Sequence, residues 1–147
     1  MEIEIVEATE NDLISVLSLY QNVLDKGKPV LSIEKANFLF KKIAQYPDYH
    51  LYIAKFMTKI IGSFALLIMD NLAHFGTPSA IVEDVVVDQK FQNLGIGRQM
   101  MQFAKQKAKE NGCYKLVLSS NLNRSDAHRF YESLGFEKHG FSFKIDL

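Results

Sequence analysis

The stretch from residue 82 to residue 98, VEDVVVDQKFQNLGIGR, constrains the fold more than any other part of the chain. It reads as a buried β-strand, a short polar loop that contains Gly95 and Gly97, and the beginning of an amphipathic helix. Glycine lets the backbone turn sharply and come close to a ligand, and the first N–H groups of a helix have no partner within it. The helix dipole adds about half a positive charge at this end. The stretch therefore predicts a cradle for a phosphate.

The spacing of the glycines distinguishes this cradle from other phosphate-binding loops. A P-loop requires G-x-x-x-x-G-K-[ST] and a dinucleotide-binding fold requires G-x-G-x-x-G, and the chain has neither at this point. The pattern Gln92-x-x-Gly95-x-Gly97 resembles instead the pyrophosphate-binding signature Q/R-x-x-G-x-G/A of the GNAT superfamily of acetyl-CoA-dependent N-acetyltransferases. The alternative interpretation is that the glycines only form a strand-to-helix turn.

Length and composition favour a single globular domain over residues 1–147. The 17 basic and 17 acidic residues cancel, so no overall nucleic-acid footprint is indicated. The only cysteine, Cys113, excludes an internal disulfide and reads as a small core residue. The N-terminus does not resemble a signal peptide, and the longest apolar run, residues 60–69, is too short to span a bilayer. These features together predict a cytoplasmic protein.

The periodicity of apolar residues predicts the element order β-α-α-β-β-β-α-β-α-β. Thr9 and Ser32 are the candidate N-caps of the first two helices. Two strands, residues 49–56 and 59–69, are joined at Met57 and Thr58, and a polar loop over residues 70–79 leads to the strand before the cradle. Helices are predicted from residue 96 and over residues 126–134, with a strand over residues 114–118 between them. One or two final strands are predicted over residues 136–147.

Three sequence blocks strengthen the resemblance to the GNAT superfamily. Residues 83–87 (EDVVV) and 112–115 (GCYK) are similar to segments of glucosamine-6-phosphate N-acetyltransferases. Residues 124–136 (RSDAHRFYESLGF) are similar to a block of small-amine acetyltransferases, including those that act on aminoalkylphosphonates. The resemblance covers the whole chain and implies an α/β (α+β) fold, in which a mixed central sheet of six to seven strands is flanked by about four helices.

Acetyl transfer to an amine requires a base, because an ammonium group with a pKa near 10 must first lose a proton. Glu83, ranked first, and Asp84 are the candidate bases. Adjacent residues of a strand face opposite sides, so only one can face the substrate unless a bulge intervenes. The alternative to a catalytic base is that the carboxylate anchors the neighbouring loop. His74 could relay a proton, although a lone loop histidine is usually passive. By resemblance, Tyr131 faces the CoA sulfur as an acid; the alternative is a packed aromatic residue beside Phe130.

The predicted cofactor is acetyl-CoA as acyl donor, and no residue is assigned to a metal. Backbone groups of one strand are expected to pair with the pantetheine amides. The cradle is expected to bind the pyrophosphate, with Gln92 bracing it and Arg98 facing either a phosphate or solvent. Where relatives often have an asparagine that contacts pantetheine, this chain has Arg124 beside Asn123. The alternative partner of Arg124 is a CoA phosphate or an anionic substrate. The predicted cofactor-binding residues are Val85, Val86, Val87, Gln92, Asn93, Leu94, Gly95, Ile96, Gly97, Arg98, Asn123 and Arg124.

The acceptor is least constrained by the sequence. By resemblance, specificity comes from residues 25–31 and 70–79, and Lys28, Lys41 and Lys42 could meet an anionic group on a small primary amine such as an amino sugar phosphate or aminophosphonate. The alternatives are a protein or peptide N-terminus, and a non-catalytic acyl-CoA sensor. No membrane or nucleic-acid partner is predicted. The apolar tail residues Phe141 and Phe143 could support a homodimer through edge pairing.

Overall fold

The computed structural model describes residues 2–147. The chain forms two compact units, a larger one that ends at Val117 and a smaller one, Leu118–Leu147. No helix of the described residues is long and apolar enough to cross a membrane.

A five-stranded sheet organises the chain, and its strands follow one another in sequence order. The first four strands pair antiparallel. The register places Leu51 opposite Ala65 and Ala65 opposite Glu83, so these three side chains share one face of the sheet. The strands are β1 (Glu4–Glu7), β2 (Tyr49–Phe56), β3 (Lys59–Met69), β4 (Ser79–Val87) and β5 (Leu116–Leu118).

Of the two N-caps that the sequence predicts, Ser32 directly precedes the second helix, whereas Thr9 precedes a 3₁₀ turn (Glu10–Asp12) that leads into the first. The Thr9 amide and hydroxyl both donate to the Asp12 carboxylate at 2.8 Å, and the Ser32 hydroxyl accepts from the Lys35 amide at 3.2 Å. The first helix changes to a π-helical turn over Tyr20–Leu24, a local widening that the sequence pattern did not predict. The α-helices are α1 (Leu13–Leu19), α2 (Ile33–Ile43), α3 (Ile96–Glu110) and α4 (Ser125–Ser133).

Helices of the larger unit cover both faces of the sheet. Val16 and Leu19 of α1 pack with Ile53 and Val86 in a buried cluster on the face that carries Glu83. On the opposite face, the ring of Phe103 in α3 lies 6.4 Å from that of Phe64, centroid to centroid. Gly62 of β3 lies beneath α3, where an added Cβ would come within 2.9 Å of the Met100 sulfur.

The expectation of a sheet with six to seven strands is wrong at the C-terminus. Residues 136–147 form no strand, and the side chains of Phe141, Phe143 and Ile145 are exposed. Alternation of apolar and polar residues specifies which side of a strand is apolar, but it does not supply the neighbouring strand whose backbone must accept its hydrogen bonds. The predicted hairpin joined at Met57 and Thr58 is confirmed, with Met57 in the left-handed region at φ 54°.

Candidate active site

A β-bulge interrupts β4 at the acidic pair that the sequence singles out. Ser63 of β3 lies opposite Val86, and Ala65 lies opposite Glu83. Two residues of β4, Asp84 and Val85, therefore oppose the single residue between them on β3. Asp84 is in the left-handed region at φ 53°, which Asp tolerates better than most residues. Because of this bulge, the side chains of Glu83 and Asp84 can lie on the same face of the sheet.

Glu83 lines an open cavity of about 190 Å³ on the α1 face of the sheet. Its other walls are apolar apart from one tyrosine hydroxyl, and they come from β2, β3 and β4. Burial raises the pKa of Tyr49, and the charges of Asp84 and Glu83 raise it further by smaller amounts. Asp84 therefore lies near the same tyrosine. The cavity is lined by Tyr49, Ala65, Leu67, Ile81 and Glu83.

The two carboxylates have perturbed ionisation. Partial loss of water around Glu83, and then the charge of Asp84, raise its pKa above the ordinary range. Partial loss of water around Asp84, and then the charge of Asp25, raise the pKa of that carboxyl as well. Both side chains still face solvent. Among the described residues of the larger unit, neither carboxylate forms an ion pair. Such groups suit proton transfer or the binding of a cation.

The π-helical turn contributes Tyr20 to this cluster. The turn packs against β4, and the Asp25 amide closes it by donating to the Tyr20 carbonyl at 2.7 Å. Burial raises the pKa of the Tyr20 hydroxyl to about 12. The nearby Ser63 hydroxyl opposes this shift, although it makes no hydrogen bond of ordinary geometry and is itself fully buried. We refer to Tyr20, Asp25, Tyr49, Glu83 and Asp84 as the acidic pocket.

The glycine loop after β4 has the geometry of an anion site. Gly95 is left-handed at φ 81° and directly precedes α3, and Asn93 is left-handed at φ 62°. The Gln99 amide donates to the Gly95 carbonyl at 3.1 Å, so the amides between these two residues begin the helix without a partner inside it. The Gln92 side chain donates to the Val87 carbonyl at 3.1 Å and ties the loop to the end of β4. We refer to residues 92–98 as the cradle.

The charge around the cradle fits a phosphate group. The first turn of α3 has no acidic residue, and Arg98 is exposed in it. An added Cβ on Gly95 would meet nothing within 4 Å, so the position requires glycine for its backbone conformation and the space beside it is open. Unpaired amides, open space and a positive helix end together match the pyrophosphate of a nucleotide-containing cofactor.

Between the bulge and the cradle, the backbone of β4 pairs with a neighbouring strand on one side only. Val86 and Val87 pair with β3 through Ser63 and Gly62. On the other side, β5 is three residues long and lies beside the start of β4, where the Ala80 amide donates to the Lys115 carbonyl at 2.9 Å. At the usual rise of about 3.3 Å per residue, β5 ends before the level of Val85.

The smaller unit holds the remaining residues that the sequence singles out. Tyr131 lies on α4, with its ring 5.1 Å from that of Phe130 and 5.7 Å from that of Phe136. Burial raises the pKa of its hydroxyl, and the charge of Arg124 lowers it by a smaller amount. Arg124 is the N-cap of α4, and the amide of its neighbour Asn123 donates to the Asn121 side chain at 2.9 Å.

Comparison with known proteins identifies the family. The sequence profile described as the acetyltransferase (GNAT) family matches residues 16–136. The chain belongs to the GNAT family of acetyltransferases. It is therefore an acyltransferase, a GNAT N-acetyltransferase of a family that typically uses acetyl-CoA.

Relatives with assigned names agree with this membership. The chain is 29% identical over 147 residues to a glucosamine 6-phosphate N-acetyltransferase of Trypanosoma brucei brucei. The alignment covers 100% of the chain and 96% of the relative. It is 29% identical over 140 residues to an aminoalkylphosphonate N-acetyltransferase of Salmonella typhimurium, with 95% and 88% covered. A crystal structure of a Trypanosoma brucei acetyltransferase superposes with a TM-score of 0.82 at 26% identity, with 99% and 100% covered.

Sequence reasoning did not single out three polar residues that lie near the two carboxylates. Tyr20, Tyr49 and Ser63 read as core or strand residues, and only the pairing of β2 with β3 and of β3 with β4 brings Tyr49 beside Glu83. A polar residue on an otherwise apolar face was the signal for Tyr20. His74, considered as a proton relay, stacks on Tyr114 at 4.6 Å between ring centroids. Cys113 is half-buried, and burial raises the pKa of its thiol.

Proposed function

We propose that the protein transfers the acetyl group of acetyl-CoA to a primary amine of a small molecule, by direct attack on the thioester. The observation that carries this proposal is the cavity lined by Glu83, which lies beside the bulge in β4 and a few residues before the cradle. The names of the relatives from Trypanosoma brucei brucei and Salmonella typhimurium, both small-amine acetyltransferases, support the acceptor class.

Glu83 is the proposed general base. It lines the cavity, and its raised pKa brings its basicity closer to that of an ammonium group than an ordinary glutamate would be. Bound acetyl-CoA supplies the thioester: the amine nitrogen bonds to the acetyl carbon, the carbon–sulfur bond breaks, and CoA leaves as a thiolate. Glu83 takes the first proton from the ammonium group. Asp84 attracts the cation into the cavity.

The chain holds the cofactor mainly through its backbone. The amides of residues 93–98 bind the pyrophosphate, and the Gln92 bond to Val87 keeps them in place. Residues 85–87 pair with the pantetheine amides on the side that β5 does not reach. Arg98 adds positive charge near a phosphate. In the smaller unit, Asn123 and Arg124 are assigned to the cofactor by their match to the family block.

Tyr131 is the proposed acid for the departing thiolate. Its raised pKa keeps the hydroxyl protonated at neutral pH, so it can give a proton to sulfur. The nitrogen loses a second proton when it becomes an amide, and this proton replaces the one that Tyr131 gives to sulfur. We expect Tyr131→Phe to lower kcat by about 10²-fold with little change in acetyl-CoA affinity. Equal kcat values for variant and parent would remove this role, since phenylalanine preserves the ring packing on Phe130 and Phe136.

Release of free thiol from acetyl-CoA, measured against a panel of small amines and peptides with free N-termini, tests the acceptor class. We expect small primary amines to stimulate release and peptides to leave it at the background rate. Stimulation by peptides alone would reassign the enzyme to protein or peptide N-termini. Mass spectrometry of the product, which gains one acetyl group, distinguishes transfer from hydrolysis.

A further inference from the structure

The cavity beside Glu83 consists of two adjacent rows of side chains on one face of the sheet. In the first row, Tyr49 of β2 lies opposite Leu67 of β3, and Leu67 lies opposite Ile81 of β4. In the second row, Ala65 lies opposite Glu83. The rows are two residues apart along each strand, which is a separation of about 7 Å. The cavity therefore has an apolar row beside a row that ends in a carboxylate.

The cavity has room for a short molecule. Its volume is about 190 Å³. At the liquid volume of about 30 Å³ per water molecule, this space holds about six non-hydrogen atoms, such as an amine nitrogen with a chain of carbon atoms. One wall is held in place, because the Tyr49 ring packs edge-on against the Tyr46 ring with 6.1 Å between their centroids. A carbon chain in the cavity therefore has a fixed apolar surface to lie on.

Glu83 is the one charged residue in the lining of this cavity, among the residues that the structure describes. The lysines considered for an anionic acceptor group lie outside the lining. The Lys28 Nζ lies 3.5 Å from the Asp25 carboxylate, and the Lys41 Nζ lies 3.6 Å from the Glu10 carboxylate. A phosphate in the cavity would lose water without gaining a cation and would face the Glu83 carboxylate. A second ammonium group on the apolar row would also lose water without a partner in the lining.

We propose that the acceptor is a short primary alkylamine with a neutral apolar body. Its amine lies at Glu83, and its carbon chain lies on Leu67 and Ile81 beside the Tyr49 ring. This assignment rests on the proposed function and narrows it. The acceptors in the names of the relatives from Trypanosoma brucei brucei and Salmonella typhimurium carry a phosphate or a phosphonate, so this chain differs from those relatives in the body of its acceptor.

A matched series of amines tests the proposal: ethylamine, butylamine, aminobutylphosphonate and diaminobutane. Ethylamine has a shorter chain than butylamine, and the last two amines carry a charge at the far end of the same chain. We expect kcat/KM for butylamine to exceed that for ethylamine by about tenfold, from the burial of the added methylene groups. It should exceed that for each charged amine by at least as much. A preference for either charged amine, or equal values for ethylamine and butylamine, would overturn the proposal.

Leu67→Ala and Ile68→Ala form a matched pair of variants. Both residues are half-buried neighbours on β3, and their side chains face opposite sides of the sheet. In Leu67→Ala the preference for butylamine over ethylamine should fall by about threefold or more, because part of the apolar row is lost. Ile68→Ala should keep the parent ratio. The ratio is taken within one variant, so a smaller folded fraction does not alter it. Equal ratios in the parent and Leu67→Ala would contradict the assigned row.

Saturation-transfer difference NMR of butylamine, with the protein in the absence of acetyl-CoA, separates this proposal from the proposed function. We expect transfer to the methyl end of butylamine in the parent and in Ile68→Ala, and weaker transfer in Leu67→Ala. If no amine stimulates thiol release, the acyl-transfer assignment fails, and the NMR measurement alone then decides the alkylamine site. Absence of transfer in the parent, or equal transfer in the parent and Leu67→Ala, would refute the site whatever the turnover.

Discussion

The cradle and the acidic pocket lie at the two ends of one short stretch of chain, yet they are built in different ways. The cradle consists of consecutive residues and presents backbone amides at a helix N-terminus. The pocket combines side chains from the π-helical turn and its C-cap with side chains of β2 and β4, two strands that β3 separates in the sheet. A ligand bound by backbone can therefore be recognised from a local motif, whereas one bound by side chains depends on the register of distant strands.

The two regions also carry opposite electrostatic preferences. The cradle has unpaired amides and no acidic residue in the first turn of α3, so it favours an anion. The pocket has three carboxylates with Lys28 as the paired cation in its unit, so it favours a cation. Under the proposed function, the end of β4 next to the cradle binds the donor and the end with the acidic pair binds the acceptor.

The largest effect is expected from Glu83→Gln, which changes the pocket and leaves the cradle intact. Removal of a general base should lower kcat/KM by about 10²–10⁴-fold, and acetyl-CoA affinity should not change. Because the pKa of Glu83 is raised, the parent should lose activity as the pH falls through that raised pKa, and the variant should lack this dependence. Initial rates across pH, with calorimetric titration of acetyl-CoA, measure both. A full rate in the variant would transfer the role of base to Asp84.

A smaller effect, confined to the cradle, is expected from Gly95→Ala. The left-handed backbone at φ 81° costs an alanine about 1–2 kcal/mol, and the resulting shift of the loop should weaken acetyl-CoA binding by about tenfold. Gly112→Ala is the matched control, since φ is 69° there, an added Cβ also meets nothing within 4 Å, and the residue lies beyond the other end of α3. Both variants should lose similar unfolding free energy in urea, but only Gly95→Ala should lose affinity. Equal affinities would contradict the cradle.

The smallest effects are expected in stability, with opposite signs at the two ends of the stretch. The pKa of Asp84 is raised by partial desolvation and by Asp25, so its ionised form disfavours folding. Asp84→Asn should increase the free energy of unfolding at neutral pH by a few tenths of a kcal/mol, since solvent screens the charges, and the gain should vanish at a pH below the ordinary aspartate pKa. Asparagine also tolerates the left-handed backbone.

Asp88→Asn is the counterpart beside the cradle. A hydrogen bond from Lys59 at 2.8 Å lowers the pKa of Asp88, so its ionised form favours folding above the ordinary aspartate pKa. This substitution should decrease the free energy of unfolding at neutral pH by about 0.2–1 kcal/mol, and the loss should disappear as the pH falls through the lowered pKa. Urea unfolding of both variants across pH gives the two signs. Effects of the same sign would contradict the electrostatic contrast between pocket and cradle.

Much of the fold follows from local patterns. The N-caps at Thr9 and Ser32, the hairpin at Met57 and the helix after Gly95 are all where the sequence predicts them, because capping and turn formation depend on neighbouring residues. The final strands over residues 136–147 were wrongly predicted, since a strand needs a partner edge that alternation does not reveal. Tyr20 and Tyr49 could not be assigned to the site, because their proximity to Glu83 and Asp84 arises from tertiary packing.

The sequence alone determined the family, the cradle and the acidic pair of β4, since each is written in consecutive residues. It left open whether Glu83 and Asp84 share a face. The tertiary structure adds the register of β3 against β4, where one extra residue in β4 and the left-handed backbone of Asp84 allow both side chains to lie on one face. A bulge depends on the pairing of two strands, so no pattern within β4 alone could specify it.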